Sequence, residues 1–465
     1  MPSRASDQLS YSEHLVAHLE RFRTMPLSDT ILEKVRMCLL DHLAAVFSAA
    51  GSPVAAVGSR LVASFGTGPC TLIGTPRTSS IMGAAFYNGL VATSEDLDDA
   101  HRYASGLHMS ATTFPALFAL VDRDEKIPVN GERLIQAILS GYEVSSRIVR
   151  AADAGIRERG YHSTGAAGIF GACAGAGVLL GLSTKSLVNA LGIAASGGGG
   201  LFAFLHEGSS VRHAHGAWAS ANGLGAALLA EAGMTGPRLA LEGYGEGKDG
   251  WLHAYAGHWD ESFILEASDR PELMNAYHKM HATCGHAAPG ITALQQLRER
   301  VLPRTNELVS IVIKGYNASA ALNNPDPKTI SEAKFSLPFI TGVILRHGRA
   351  TLQEMVPATL DDPEVRRIAS LVRVEEDPGI AAAFPKLRAC EVVVSFANGD
   401  TLNQRVDAPL GMPENPVSLE VIENKFRDAT DGVLPPERRD QVLALVRQLE
   451  SLDSARTLTR LLRTA

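Results

Sequence analysis

Four short stretches of this chain concentrate the side chains that can move protons or hold anions. The first, SEDLDDAHRYASGLH (94–108), carries Asp96, Asp98, Asp99, His101 and His108 directly after the apolar run IMGAAFYNGLVA. Crowded carboxylates raise one another's pKa and a nearby imidazolium lowers it, so one group can stay a base while its neighbour stays an acid near neutral pH. The plainer alternative is a solvated loop whose acidic residues cap the next helix. The second stretch, RGYHSTGAAG, puts Arg159, Tyr161 and His162 before a Gly/Ala-rich helix, with Ser163 or Thr164 as its cap. Free N–H groups at such a helix start would bind an anion, and the histidine would be aimed at it. The third, HEGSSVRHAHGAW, contains His206, Glu207, Arg212, His213 and His215, and Arg212 has the fork geometry for a carboxylate. The fourth, YHKMHATCGHAAPG, places His278, Lys279, His281, Cys284 and His286 within nine positions. Lysine there suits a carboxylate, and a transition metal is the competing occupant. Neither HExxH nor a Cys/His ribbon spacing occurs, so no metal is expected.

These stretches need elements to hold them. From Ser10 to about Gly257 the apolar spacing is helical. In SDTILEKVRMCLLDHLAAVFSAAG, apolar residues recur from Ile31 to Phe47, with Asp29 as cap and Gly51 as stop. Further Ala-, Leu- and Gly-rich helices are expected around 78–93, 112–122, 131–150, 164–181, 184–196 and 211–232, tightly packed through their small residues. GACAGAGVLLG misses the dinucleotide-loop spacing and follows no strand, and SGGGGLF is read as a connector between helices. Beyond about Glu266 the texture changes: LVSIVIKGY and ACEVVVSFANGDTLNQRV are β-branched runs, the second with an Asn398-Gly399 hairpin signal. Helical periodicity returns in KTISEAKFSLPFITGVILRHG, in DDPEVRRIASLV and in the tail. The fold class expected is mainly α: an all-helical domain from residues 1–265 and 406–465, with a smaller α+β domain at 266–405 inserted between them.

At 465 residues two domains are the default, and a net charge of −7 excludes a general basic surface, so no nucleic acid partner is expected. Five scattered cysteines with no CxxC pair fit a reducing cytoplasm, and no stretch is read as a leader or a membrane span. Without GxSxG or a P-loop, a nucleophile-elbow hydrolase and a nucleotide kinase lack their usual sign.

Taken together and in order, NGLVATSEDLDDAH, LHMSATTFPAL, GYHSTGAAGIFGA, HEGSSVRHAHGAWAS, HKMHATCGH and NNPDPKTISEAKFSLPF resemble the MmgE/PrpD family over nearly the whole chain. That family includes 2-methylcitrate dehydratases, cis-aconitate decarboxylases and iminodisuccinate epimerases. The resemblance implies a homodimer without cofactor, in which both chain ends form the helical domain and the insert forms a lid. It also implies a di- or tricarboxylate substrate between lid and helical domain. Matched motif by motif, Asp96 is the first acid of the D-x-D-D run, and His108 the histidine of the following His-Pro-Ser-like segment. His162 is the histidine before the glycine-rich helix, Lys279 the lysine opening the lid segment, and Tyr316 lies near a family tyrosine. Asp99, His101, Arg212, Cys284 and His286 would bind substrate around them. The chain departs from the pattern at Val211-Arg212, where relatives often carry a lysine, and at Ala100-His101, where Thr or Trp commonly follows the acids. Proton abstraction beside a carboxylate is therefore expected, with dehydration leading, epimerisation next and decarboxylation third. A metal-dependent hydrolase or a non-catalytic carboxylate binder are the rivals from other classes.

Overall fold

The computed structural model describes residues 8–104, 106–126, 128–207 and 209–464; the side chains of Arg23, His206 and Glu207 lie outside the described residues. The fold is mainly α and divides into two compact units, Met1–Ala276 with Ser418–Ala465, and Tyr277–Val417. The sequence reading puts the divisions at 265/266 and 405/406. Residues beyond 265 stay with the helical unit because Glu272 accepts the Arg150 guanidinium and receives His101. Residues beyond 405 stay with the second unit through the bonds His278 N–H to Gly411 O and Leu410 N–H to Thr292 Oγ1.

In the helical unit six helices matter for the site: α1 (Asp29–Ser48), α2 (Ile81–Ala92), α3 (Met109–Arg123), α4 (Gly131–Glu158), α5 (Ser163–Leu180) and α6 (Val211–Glu231). Ser28, rather than Asp29, caps α1 by accepting from Ile31 N–H; Asp29 sits in the first turn, where its charge favours the helix dipole. The helix α5 packs against both α4 and α6 with backbones nearly touching. A Cβ on Gly171 would lie 2.7 Å from Gly141 O, and one on Gly223 would lie 2.5 Å from Ile169 O. This explains the small-residue composition: glycine is retained where a methyl group would force the helices apart. By length and composition alone α5, an 18-residue charge-free helix, is apolar enough to cross a membrane. Its residues are 89% buried inside the unit, so its apolarity serves helix packing here. The tail helix Leu419–Thr430 returns to pack on α1.

The second unit holds a four-stranded sheet with α7 (Ala288–Val301), α8 (Leu337–His347) and α9 (Pro363–Ser370). Its strands are β1 (Leu308–Gly315), β2 (Val372–Glu376), β3 (Cys390–Phe396) and β4 (Thr401–Val406), in the order β2-β1-β3-β4. The hairpin β3–β4 pairs Ser395 with Thr401 across a turn in which Gly399 has φ +89°, as the Asn-Gly signal predicts. Gly348 (φ +84°) stops α8 by returning its N–H to Ile344 O. Strand β2 was not anticipated; it runs parallel to β1, reached through a helical crossover. Ile311, Ile313, Val392 and Val394 bury the sheet's inner face against Ile291, Leu294 and Leu297 of α7.

Candidate active site

His108 is the N-cap residue of α3 and is 7% exposed. Its backbone N–H donates to Thr164 Oγ1 at 3.0 Å, and that hydroxyl donates to Gly106 O at 2.6 Å, which ties the start of α3 to the start of α5. The imidazole Nδ1 lies 2.9 Å from the Asp99 carbonyl oxygen and 2.8 Å from Asp98 Oδ2. Both neighbours are acceptors, so Nδ1 carries the hydrogen and Nε2 keeps a lone pair for other work. Asp99 itself is fully buried: Oδ1 accepts from Ser110 N–H and Oδ2 from the Tyr142 hydroxyl. Burial, and then the charge of Asp41, lift its pKa to about 6 against those two hydrogen bonds. Asp41 is in turn held by Lys425 Nζ, which also donates to Leu97 O.

His162 is the N-cap of α5. Its Nδ1 lies 2.9 Å from Nδ1 of His215 on α6, so one ring donates and the other accepts. Burial holds both in the neutral form: His162 falls well below the ordinary histidine value and His215 falls to about 4, with Arg212 adding to each shift. The His108 and His162 ring centroids are 6.3 Å apart. Neither Ser163 nor Thr164 caps α5. Ser163 donates to Asp153, and the Thr164 N–H is spent on Gly106 O, so that expected anion donor is already satisfied. The glycine run read as a connector proves to brace this pair. His162 N–H donates to Gly200 O, Gly199 N–H donates to Gly165 O, and a Cβ on Gly200 (φ +117°) would meet the His215 ring at 3.0 Å.

Asp96 has φ +59°, the one non-glycine residue with positive φ among those described. Backbone strain of this kind persists only where the surroundings impose it. Here Arg212 imposes it, donating through Nη1 and Nη2 to the two carboxylate oxygens at 2.8 and 2.6 Å. Arg212 was expected to clamp a substrate; its fork instead holds Asp96. His101 was expected to bind substrate as well. It is fully buried, its Nδ1 accepts from Tyr103 and Ala104 N–H, and its Nε2 donates to Glu272 at 3.0 Å. With both nitrogens engaged, it ties 94–108 to Glu272 and has no atom left for a ligand. Burial alone would raise the Glu272 pKa, but the hydrogen bond from His101 and the charge of Arg150 bring it to about 2.

In the second unit, Lys279 (6% exposed), His281, Thr283 and Cys284 line a narrow cleft with Tyr277 and Met412. The cleft holds about 380 Å³ of space, part of it open to solvent. His286 and Tyr316 form a separate pair, Nδ1 to hydroxyl at 2.9 Å, with Tyr316 fully buried and stacked on Phe384. Burial pushes the Tyr316 phenol up. Among the described residues, no three His, Cys, Asp or Glu side chains gather as a metal ligand set. Sequence reasoning counted Asp98 and His215 in their clusters but gave neither a catalytic or binding role. His215 was detectable, three residues after Arg212 on one helical face; Asp98 was not, because only the fold shows which acid reaches His108.

Residues 13–263 match the MmgE/PrpD N-terminal domain, and residues 281–451 match the MmgE/PrpD C-terminal domain. The chain belongs to the MmgE/PrpD family. Among relatives of this MmgE/PrpD chain, the human cis-aconitate decarboxylase is 26% identical, over 98% of this chain and 95% of that protein. The cis-aconitate decarboxylase of Aspergillus terreus is 28% identical, over 94% and 93%. A 2-methylcitrate dehydratase-like protein of Aspergillus oryzae is 26% identical over 34% of this chain.

Proposed function

We propose that this MmgE/PrpD protein is a lyase that acts on a small di- or tricarboxylate by proton transfer between imidazoles and a carbon next to a carboxylate, without metal or coenzyme. The observation that carries this reading is His108, whose Nδ1–H is fixed by the Asp99 carbonyl with the Asp98 carboxylate 2.8 Å away, and whose Nε2 is left as a base. His162, kept neutral and tautomerically coupled to His215, is the second proton carrier. Lys279, in the cleft of the second unit, is a carboxylate-binding group by its charge. Decarboxylation needs one proton delivered to carbon as CO2 leaves. Dehydration needs one removed from carbon and one given to the departing hydroxyl, and two imidazoles satisfy either balance.

The relatives matching nearly the whole chain carry the name cis-aconitate decarboxylase, and this moves decarboxylation ahead of the dehydration that motif resemblance favours. Dehydration stays second, supported by the relative that matches a third of the chain. The deciding experiment incubates the protein in D2O with cis-aconitate, 2-methylcitrate and substituted succinates and follows the acids by NMR. CO2 loss with one deuterium retained in the product supports the leading reading, and water loss supports the second. Exchange without net loss would mean an epimerase, and no change in any acid would sink the proposal. Turnover that survives exhaustive chelation separates it from a metal-dependent hydrolase.

We also propose a cytoplasmic homodimer. Five free cysteines suit a reducing compartment, and Val211, Trp218 and Leu229 leave a line of 41–45% exposed apolar side chains along one face of α6. Sedimentation at the monomer mass at micromolar concentration would refute the dimer.

A further inference from the structure

Arg388, just before β3, is 2% exposed, yet it has no carboxylate partner among the described residues. Among the described residues its Nε is buried without a hydrogen bond, and its one side-chain bond is from Nη1 to the Tyr277 hydroxyl at 3.3 Å, with the guanidinium carbon 5.0 Å from the Tyr277 ring centre. The ionisable groups that act most strongly on it are Tyr277, Tyr316 and Cys284, none of them an anion at neutral pH in its ordinary state. Buried guanidinium groups are retained when paired, because an uncompensated charge in a low-dielectric interior is strongly unfavourable. A charge kept here without a protein counter-ion points to a counter-ion that arrives from outside.

The path for it is visible. Tyr277 lines the cleft with Lys279, His281 and Cys284, and its hydroxyl occupies the space that a Cβ on Gly285 would fill, 2.5 Å away. The hydroxyl accepts from Arg388 on one side, which leaves its own hydrogen to donate on the other. We propose that Tyr277 is a substrate-binding residue of this cleft, donating to one carboxylate of a small polycarboxylate, and that Arg388 is the positioning residue behind it that supplies the compensating charge. The inference rests on the polycarboxylate reading above and deepens it by adding two residues that the motifs do not mark. Arg388 is two residues before β3, outside the four chemically rich stretches, and Tyr277 is the first residue of the fourth, where the histidines and Lys279 drew the attention.

The test uses the full chain and tricarballylate, an unreactive tricarboxylate, with sulfate as the control for any small anion. Binding is read by calorimetry and by thermal melting. Wild type binds tricarballylate in preference to sulfate, while Y277F and R388M each lose at least tenfold in affinity and R388K recovers part of it. Without ligand, R388M melts at or above the wild-type temperature, because removing an unpaired buried charge costs the fold nothing; a merely structural arginine would give a lower melting temperature. On a substrate that turns over, both variants raise KM more than they lower kcat. Unchanged affinity in Y277F and R388M overturns the inference and leaves the functional reading standing. Tricarballylate binding that depends on both residues, in a protein that turns over no acid, leaves the inference standing and removes the enzyme. No binding of tricarballylate by wild type overturns the inference, and the deuterium experiment then decides the enzyme reading by itself.

Discussion

His42 offers the sharpest test of how burial sets protonation beneath the site. It lies in α1 with no exposed surface, stacked on Phe114 at 4.9 Å, and neither ring nitrogen has a hydrogen-bond partner among the described residues. Burial lowers its pKa to about 3, although the charges of Asp98 and Asp41 act in the opposite direction. In the unfolded chain the same group titrates near its ordinary value of about 6.5. Between those values the unfolded state takes up a proton that the folded state refuses, so stability falls as pH drops through 6.5 toward 3. The loss is about 2 kcal/mol at pH 5 and roughly 0.2 kcal/mol at pH 7, from the proton-binding difference alone. Any folded pKa below about 4 gives nearly the same figures, since the unfolded titration controls them. His42→Phe keeps the stack and removes the titration. Other buried groups, such as Asp99 with its opposite dependence, cancel when variant and wild type are compared at each pH. Urea unfolding read by tryptophan fluorescence reports the right unit, because Trp218, Trp251 and Trp259 all lie in it. The variant should gain about 2 kcal/mol relative to wild type on going from pH 7 to pH 5. Parallel stability curves over that range would refute the burial argument.

Asp98→Asn should leave the fold intact and cut kcat about 10²- to 10⁴-fold, since an amide in place of the carboxylate can present a donor to Nδ1 and displace the tautomer; wild-type turnover would remove Asp98 from the site. His215→Phe should preserve the melting temperature within a few degrees and shift the pH–rate profile, because His162 loses the partner that fixes its tautomer; an unshifted profile would show that the pair is only structural. Gly165→Ala places a Cβ 2.0 Å from Gly199 O and should cost about 1–3 kcal/mol in urea unfolding, whereas Gly199→Ala, with nothing within 4 Å, should cost far less. Equal losses in the two would mean that the glycine run does not brace the histidines.

The helices were legible because their signals are local. Apolar spacing, the Gly348 stop and the Asn398-Gly399 turn each act within a few residues, and the structure places these elements close to where they were read. Strand β2 was not legible, since its sequence VRVEE alternates weakly and its pairing with β1 joins residues about sixty apart. The unit boundaries fell some ten residues from the expected positions for a similar reason. Glu272 belongs to the helical unit through side chains contributed by residues 101 and 150, and no composition shift marks such a bond.

The site shows the same division more sharply. Residue types near 94–108 and 159–168 indicated proton chemistry, but the assignment of tasks within them depends on direction, which spacing does not encode. Of the three aspartates that follow Glu95, Asp96 goes to Arg212, Asp98 reaches His108 and Asp99 turns to Tyr142 and Ser110. The left-handed backbone at Asp96 contributes to this split, because it breaks the alternation that an extended segment would impose on successive side chains. The consequence is chemical. An acid held by arginine, an acid beside histidine and an acid buried among neutral donors are three different groups, and only the second is built to orient a base. Replacing Arg212 by lysine therefore should disturb Asp96 before it disturbs any substrate. A lysine cannot reproduce the two-point fork, so R212K should lower the melting temperature even in the absence of ligand. An R212K protein that melts as wild type does but binds tricarballylate less tightly would return Arg212 to the role of substrate clamp.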